Sequence, residues 1–515
     1  MARKKPLVSP QTTPQPEFNV GSLTGTRKLP LVNERFRISD RFKAFETYTK
    51  SGVGKSIGAS CNTFSVGDSM DSIAEATSWG LQVMAYQGAP SFEISQLRPR
   101  DSAIASGGTS SGAASFSKVF DAVVGACRRE TKKNGAGIVF LDAFHPDLDE
   151  FLGMTYEYAY KGVYVPGNHD REAQTQLMSS DLAEKLASAY ENNKCFLVKR
   201  PQPTQHGELL CNLCVEVEIP NRGTCVLGVI NLSQYTPDNI HQLAGDFYTA
   251  SIDMHEAMLK VLAFMPSTPL YCTSPDNRQF LLGISGLASM LGIWGLTYEQ
   301  LNEGLRYALT GADNIFQAYE RSTTIENELV RLLVSNLLFA YTDASSFLRG
   351  KVRAAFGIQP SATGAYDCAD AKGFHSSPEI QPVIGVPYPE YVRGGRKSAL
   401  LGDMDVFWNP GTPTIEQVPY ETYRQTCCLF QWLFDLTGLA HRHSACYYGN
   451  QEFTVESLRT FLTSGQRSLY YRLPKTNAYS IDKSNIGIDA SDLFEDLGSC
   501  SLLQVPGQTE CDCAA

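Results

Sequence analysis

Short apolar runs alternate along the chain with longer segments in which apolar side chains recur at the spacing of a helical turn. The short runs are typical of buried strands, and the longer segments predict amphipathic helices. The predicted strands are residues 138–141 and 224–232, and the predicted helices are residues 73–84, 145–200, 238–262, 278–310 and 322–341. The helix at residue 73 is expected to begin at Asp71-Ser72, which places a carboxylate near its positive end.

The stretch from Cys211 to Glu218 follows a period of two. If it is extended, Asn212, Cys214 and Glu216 share one face. That face would carry an amide, a sulfur able to act as nucleophile or radical, and a carboxyl group whose burial would make it a better proton acceptor. A half-buried strand with a small apolar cysteine is the simpler interpretation. Half of a zinc site is another, but no second C-x-x-C or paired histidine motif follows at a useful distance.

The composition is that of a globular protein. The 515 residues are 43% hydrophobic and 19% charged, and they could form about two to four domains of ordinary size. With 44 basic and 54 acidic residues the net charge is −10, and there is no long basic run. This argues against a general binder of nucleic acid or membrane surfaces. No apolar run approaches the length of a membrane span.

The N-terminal residues and the distribution of cysteines indicate the cellular compartment in which the protein is expected. Residues 1–18 have no hydrophobic region after their basic residues and are rich in Pro, Thr and Gln, so they predict a disordered arm and not a signal peptide. The 14 cysteines are scattered and do not resemble a secreted disulfide framework. We therefore expect a reducing cytoplasm, either of the cell or of a host if the chain is encoded by a virus.

Several other motifs have an ordinary structural interpretation when each is taken alone. The Gly-Asp-Ser turn at 67–69 and the Gly/Ser-rich block at 95–112 could be a turn and a linker, although such loops also let backbone amides approach phosphates. The Pro-Ser turn at 360–364 could open a helix that binds anions. The adjacent tyrosines at 470–471 are common strand residues. The His-Arg-His motif at 441–443 lacks the carboxylate or second cluster expected of a metal site, so it is interpreted as a surface or packing feature.

Taken in order, these motifs resemble the catalytic (large, alpha) subunit of ribonucleotide reductases. The N-L-C-x-E wording at 212–216 is the active-site signature of that family, and the resemblance extends over residues 60–513. It implies an α/β fold, namely a ten-stranded α/β barrel of two five-stranded halves with a central finger loop and flanking helices. It also implies a disordered arm at 1–20, a barrel domain with a short N-terminal helical part at 21–490, and a flexible redox tail at 491–515.

The resemblance assigns a chemical role to each polar group of the central stretch. Cys214 would become a thiyl radical that removes hydrogen from the ribose 3′ carbon. Glu216 would accept the proton of the 3′-hydroxyl, and Asn212 would orient the sugar hydroxyls. Cys61 and Cys225 would supply two electrons and the proton that leaves with the 2′-hydroxyl as water.

Further residues inherit roles in the same way. Tyr470 and Tyr471 would relay an electron and a proton to the active cysteine, and Cys511 and Cys513 would reduce the disulfide left after each cycle. The implied substrate-binding residues are Ser60, Gly88, Ala89, Asn212, Glu216, Pro360, Ser361, Ala362, Thr363 and Gly364. The implied effector-binding residues are Asp68, Ser69, Met70 and Arg98.

The tyrosine pair favours a class I-like ribonucleoside-diphosphate reductase, in which a metal-containing small (beta) subunit generates the radical. The resemblance then implies no covalently bound cofactor and no metal ion held by this chain. Its further ligands and partners would be nucleoside triphosphate effectors (dTTP, dGTP, dATP or ATP) with Mg²⁺, thioredoxin or glutaredoxin, and a second copy of the chain in an effector-promoted homodimer.

Two departures from the family pattern leave alternatives open. The S-x-L-R-P…G-G-x-S-S-G wording at 95–112 is closer to the adenosylcobalamin-dependent branch, which needs no tyrosine pair. Only 60 residues precede Cys61, so the N-terminal ATP-cone of typical class I subunits is expected to be missing. A remote alternative is a thiol-disulfide or metal-binding scaffold that uses Cys211, Cys214 and the tail cysteines. It leaves the amide and carboxyl groups of the central stretch unexplained.

Overall fold

The computed structural model describes residues 35–59, 61–126, 136–265, 270, 274–358, 418–449 and 451–472. Its strands are β1 Phe36–Ile38, β2 Cys61–Ser65, β3 Ala89–Glu93, β4 Ile138–Asp142, β5 Tyr160–Val165, β6 Phe196–Lys199, β7 Leu209–Cys211, β8 Glu218–Pro220, β9 Thr224–Asn231, β10 Gln279–Ser285, β11 Ala354–Ile358, β12 Ala440–Tyr447 and β13 Ser468–Arg472. Its α-helices are α1 Asp40–Ser51, α2 Met70–Ala85, α3 Ala113–Ala126, α4 Leu148–Gly153, α5 Arg171–Met178, α6 Leu182–Glu191, α7 Leu243–Phe264, α8 Leu287–Trp294, α9 Tyr298–Leu309, α10 Ile315–Ser322, α11 Glu328–Leu348, α12 Tyr420–Thr437 and α13 Val455–Thr463.

Ten of these strands close into a barrel built from two parallel halves. Strands β2 to β6 run parallel to one another in chain order, as do strands β9 to β13. The halves join through two antiparallel contacts, β13 with β6 and β2 with β9. Strand β1 adds to the outer end of β9. The predicted ten-stranded barrel of two five-stranded halves is therefore confirmed.

The helices flank the barrel because parallel strands need a crossover connection, which is usually helical. Helix α2, for example, packs on β3 through Trp79, whose ring meets that of Phe92 edge to face at 5.8 Å between centroids. Phe92 in turn stacks on Phe120 of α3 at 4.4 Å. Among the described helices, none has both the length and the apolar character that crossing a membrane would need.

Some predicted boundaries are wrong. Strands β5 and β6 lie within residues 145–200, which were predicted as helices. Strand β10 lies within residues 278–310, where the apolar pattern predicted a helix, although residues 278–288 also resemble the family's passage from a strand into a helix. A barrel strand buried on both faces has no polar alternation, and a short apolar run fits a helix equally well. Helix α2 begins at Met70, one residue before the predicted start, because the Ser69 hydroxyl accepts a hydrogen bond from the Ser72 amide at 3.1 Å.

The contact between α2 and the barrel depends on the absence of a side chain at Gly80. A Cβ atom there would lie 2.6 Å from Cζ of Phe92 and 2.9 Å from Cγ1 of Val123, both buried. We expect overpacking in Gly80→Ala to lower the free energy of unfolding by about 1–3 kcal/mol. The better helix propensity of alanine should offset about 1 kcal/mol of that loss.

The matched control is Gly153→Ala at the end of α4, where a Cβ atom would meet nothing within 4 Å. Thermal unfolding should give a lower Tm for the Gly80 variant than for the Gly153 variant. Equal Tm values for the two variants would show that α2 can shift to accommodate the added methyl group without loss of stability.

Candidate functional site

The central stretch forms a hairpin inside the barrel. Strands β7 and β8 pair antiparallel with Cys211 opposite Glu218, and residues 212–217 between them, here called the finger loop, are all buried. Hydrogen bonds join the hairpin to β2, β3, β5 and β12, which lie on different sides of the barrel. A loop with partners on so many sides lies in the barrel interior.

The finger loop is not the extended strand predicted from its alternation. The amide of Val215 donates to the carbonyl of Asn212 at 3.2 Å, and Val215 has a φ of 55°. A β-branched residue with left-handed backbone is strained, and such strain persists only where the surroundings impose it. The turn still brings Asn212 and Glu216 together, with Nδ2 and Oε1 2.9 Å apart. The predicted proximity is correct, but a turn produces it and not a shared strand face.

The Asn212 amide is the hub of the polar contacts in this loop. Its Nδ2 donates to Oε1 of Glu216 at 2.9 Å and to Sγ of Cys61 at 3.0 Å, while its Oδ1 accepts from the amide of Val217 at 3.1 Å. The side chain is therefore held on both its donor and acceptor sides. It links the carboxyl group of the loop to a thiol of the barrel wall.

Cys61 and Cys225 face each other where the two halves of the barrel meet. They are direct register partners in the antiparallel contact between β2 and β9, and both are buried. Cα atoms of such pairs lie about 4.5–5.5 Å apart, within the range that a disulfide requires. The two cysteines are 225 − 61 = 164 positions apart in the sequence. Their pairing is therefore compatible with a disulfide between them.

Gly88 and Ala89 lie beside the same thiol. Ala89 pairs with Cys61 from the opposite side of β2, in the parallel contact with β3. A Cβ atom at Gly88 would come within 2.6 Å of Nδ2 of Asn62. The two residues predicted to bind substrate are thus next to the cysteine pair, where the backbone is too crowded for a side chain at position 88.

The predicted effector residues cluster separately, on the surface at the start of α2. The guanidinium Nε of Arg98 lies 2.8 Å from Oδ2 of Asp68, and the Arg98 amide donates to Oδ1 at 3.1 Å. Ser69 caps α2, and Met70 is 67% exposed. Sequence reasoning treated Asp68 and Arg98 as two separate contacts to a ligand, whereas here they pair with each other.

Tyr470 lies on β13 with its ring fully buried against Phe196, at 4.2 Å between centroids. Tyr471 follows it on β13, but its side chain is outside the described part of the structure. Several other predicted residues also lie outside the described ranges: Ser60, Pro360, Ser361, Ala362, Thr363, Gly364, Cys511 and Cys513, with the arm at 1–20 and the tail at 491–515.

Sequence reasoning missed the charged group at the base of the finger loop. Arg442, interpreted as part of a surface or packing motif, is 1% exposed and forms an ion pair with Glu218 at 2.7 Å. Burial and the nearby Arg353 lower the pKa of His441 to about 3. The neutral ring accepts from the Glu218 amide at Nδ1 and faces the Phe280 carbonyl at 3.1 Å with Nε2. Four polar residues in succession, at positions 441–444, were the available signal.

Comparison with known proteins finds one family model and several similar proteins. Residues 59–208 match the family model described as "Ribonucleotide reductase, barrel domain". The chain is 33% identical over 280 residues to a vitamin B12-dependent ribonucleoside-diphosphate reductase of Thermoplasma acidophilum, covering 47% of this chain and 36% of that protein. It is 24% identical over 310 residues to a protein of the same name from Mycobacterium tuberculosis, covering 53% and 44%. The chain thus spans less than half the length of these relatives.

A solved structure is also similar. The alpha subunit of a class Id ribonucleotide reductase from Actinobacillus ureae superposes with a TM-score of 0.57, covering 86% of this chain and 88% of that one. At 17% sequence identity this likeness concerns the fold alone.

The relatives correct the prediction of the radical source. A metal-containing small subunit was expected as cofactor source and as partner, but the similar curated proteins are named as vitamin B12-dependent enzymes. Adjacent tyrosines are ordinary in a strand, and the buried position of Tyr470 on β13 accounts for that residue without a relay. By its matching barrel domain at residues 59–208 and its closed ten-stranded barrel, the chain resembles the ribonucleotide reductase family.

Proposed function

We propose that this protein is the catalytic subunit of a ribonucleotide reductase that converts ribonucleoside diphosphates to 2′-deoxyribonucleotides with adenosylcobalamin as the radical source. The observation that carries the proposal is the arrangement around Asn212, whose amide contacts Glu216 on the finger loop and Cys61 on the wall, directly opposite Cys225. A scaffold protein would need the cysteines but neither the amide nor the carboxyl group.

The proposed chemistry divides among these groups. Cys214, as a thiyl radical, takes the 3′ hydrogen of the ribose, and Glu216 accepts the 3′-hydroxyl proton. The 2′-hydroxyl leaves as water with a proton from the Cys61–Cys225 pair. The pair supplies two electrons and becomes a disulfide, and its second hydrogen forms the new C–H bond at the 2′ carbon. Glu216 returns its proton to the 3′ oxygen, and Cys214 returns hydrogen to the 3′ carbon. Burial of the whole finger loop excludes water from the radical.

Adenosylcobalamin supplies the initial radical when bound. What it needs from the chain is a hydrogen donor shielded from solvent, and the Cys214 thiol, with no exposed surface, fits that requirement. We assign no described residue to holding the corrin ring. Reduction of the disulfide by the tail cysteines and thioredoxin, or by another dithiol, completes the proposed cycle.

The surface cluster at the start of α2 is proposed as the specificity site. A nucleotide phosphate could replace Asp68 as the partner of Arg98, since a guanidinium binds either anion in a bidentate manner. Asp68 would then be released to accept hydrogen bonds from the sugar. Replacing the Arg98–Asp68 ion pair by an ion pair between Arg98 and a phosphate costs little free energy, because both side chains are partly exposed.

The radical source is tested by assaying ribonucleoside diphosphate reduction with adenosylcobalamin and dithiothreitol, and no added protein. We expect deoxynucleotide to form, and none to form when the cobalamin is left out. Absence of product with the cofactor, followed by product when a metal-loaded small subunit is supplied, would refute this source while leaving the reductase assignment intact.

Tyr470→Phe gives an internal check of the same point. Without a tyrosine relay, the variant should keep near wild-type turnover, because only one buried oxygen is lost, at a stability cost on the order of 1 kcal/mol if that oxygen is hydrogen-bonded. The measurement is the adenosylcobalamin-dependent rate of the variant beside that of the wild type. A rate reduced to background in a protein of unchanged Tm would restore a role for the tyrosine.

A further inference from the structure

The finger hairpin is tied separately to the two halves of the barrel. On the side of the first half, both polar groups of the Cys211 peptide unit are held. The Cys211 amide donates to the Tyr164 hydroxyl oxygen of β5 at 2.8 Å, and the Ser91 hydroxyl of β3 donates to the Cys211 carbonyl at 2.7 Å. Strand β7 is therefore fixed just before the finger loop begins.

On the side of the second half, the attachment is ionic. Nε of Arg442 on β12 donates to Oε1 of Glu218 at 2.7 Å, and the Arg442 amide donates to the carbonyl of Glu216 at 3.0 Å. The guanidinium of Arg353, next to β11, donates to the Glu218 carbonyl. Arg442 thus contacts Glu216, the proposed base, through its backbone amide, and it contacts Glu218 through its side chain.

The remaining donors of Arg442 reach the junction where the halves meet. Nη2 donates to the carbonyl of Lys199 on β6 at 2.6 Å. Nη1 donates to the carbonyl of Arg467 at 2.9 Å and contacts Oγ of Ser468 on β13 at 3.2 Å. Since β13 and β6 form the antiparallel junction of the barrel, one guanidinium connects this junction to the finger loop.

The pair is ionised despite its burial. Burial alone would raise the pKa of Glu218, but the charges of Arg442, Arg467 and Arg353 outweigh it and the pKa is lowered. A buried ion pair is costly to desolvate and often adds little net stability compared with apolar side chains of similar size. Its directional hydrogen bonds, in contrast, define a position that apolar contacts would leave loose.

We propose that Arg442 and Glu218 are positioning residues that hold the finger loop against the junction of the half-barrels and so set where Cys214 and Glu216 lie. The proposal rests on the proposed function for its catalytic consequence. Its structural consequence, a displaced finger loop when the pair is removed, does not depend on that function.

The test compares Arg442→Met, Glu218→Gln and the double variant with wild type. Removing one partner deprives the other buried charge of its nearest counter-charge, so each single variant should have a lower Tm than the wild type. The double variant should lose less than the sum of the two. Its kcat should nevertheless stay about a hundredfold below that of the wild type, with KM little changed. This is the loss expected when reacting groups are misplaced by ~1 Å. A purely structural role predicts instead that kcat recovers together with Tm.

A second readout needs no activity. Alkylation mapped by mass spectrometry should reach Cys214 faster in the double variant than in wild type, while Cys195, buried ahead of β6, keeps its wild-type rate. Arg459→Gln, which breaks the exposed pair of Arg459 with Glu456, is the control and should change neither readout.

The two hypotheses fail in different ways. If the wild type reduces no nucleotide but Cys214 still becomes reactive in the double variant, the proposed function falls and the positioning role stands. If the double variant keeps both the wild-type kcat and the wild-type labelling rate at Cys214, the positioning role is overturned.

Discussion

A Cys225→Ser variant is expected to fold normally and to lose multiple turnover completely. Serine is nearly isosteric with cysteine, and position 225 is a strand residue of β9 whose backbone pairing does not involve the side chain. Cys61 would face a hydroxyl that cannot form a disulfide. The two electrons needed to expel the 2′-hydroxyl would then have no source within hydrogen-bonding reach of the ribose.

The measurement is deoxynucleotide formed per enzyme over many equivalents of substrate, with dithiothreitol present so that the tail cysteines are not limiting. Cys195→Ser is the matched control, because it replaces another buried thiol that packs in a different part of the hydrophobic core from Cys61, Cys214 and Cys225. Steady-state turnover of the Cys225 variant at the wild-type rate would refute the assignment of the reducing pair.

Cys214→Ser should show the second large loss, with no product even when enzyme is in excess over substrate. The S–H bond is weak enough to exchange hydrogen with a ribose C–H bond, whereas the O–H bond of serine is too strong for an oxygen radical to be formed and held there. The substitution leaves the shape of the finger loop nearly unchanged, so Tm should move little. The single-turnover yield of deoxynucleotide is the quantity to measure.

Cys211→Ser separates this chemistry from the general sensitivity of the hairpin. Cys211 is buried at the end of β7, three positions before Cys214, and burial raises the pKa of its thiol to about 12. The proposed cycle assigns no role to this thiol. Product formation by this variant beside none from Cys214→Ser is the expected pattern. If both variants gave product, the radical would not reside on Cys214.

The alternation at residues 212–216 predicted that Asn212 and Glu216 lie close together, and their side chains do meet, but a turn and not a shared strand face brings them together. An isolated segment of this composition favours an extended strand. Within the barrel, Val215 instead adopts a left-handed backbone, and the turn brings the ends of the motif together. The contacts on both sides of the hairpin impose that conformation, and they come from residues far away in the sequence.

The order of the motifs in the sequence by itself indicated a resemblance to one family, and with it the barrel and the residues of the finger loop. Apolar periodicity alone could not separate β5, β6 and β10 from helices, since strands buried on both faces carry no alternation. The tertiary structure alone placed Cys61 opposite Cys225, because only closure of the barrel joins β2 to β9. It alone showed Arg442 to be buried beside Glu218, since the burial of a charge depends on partners that the local sequence does not contain.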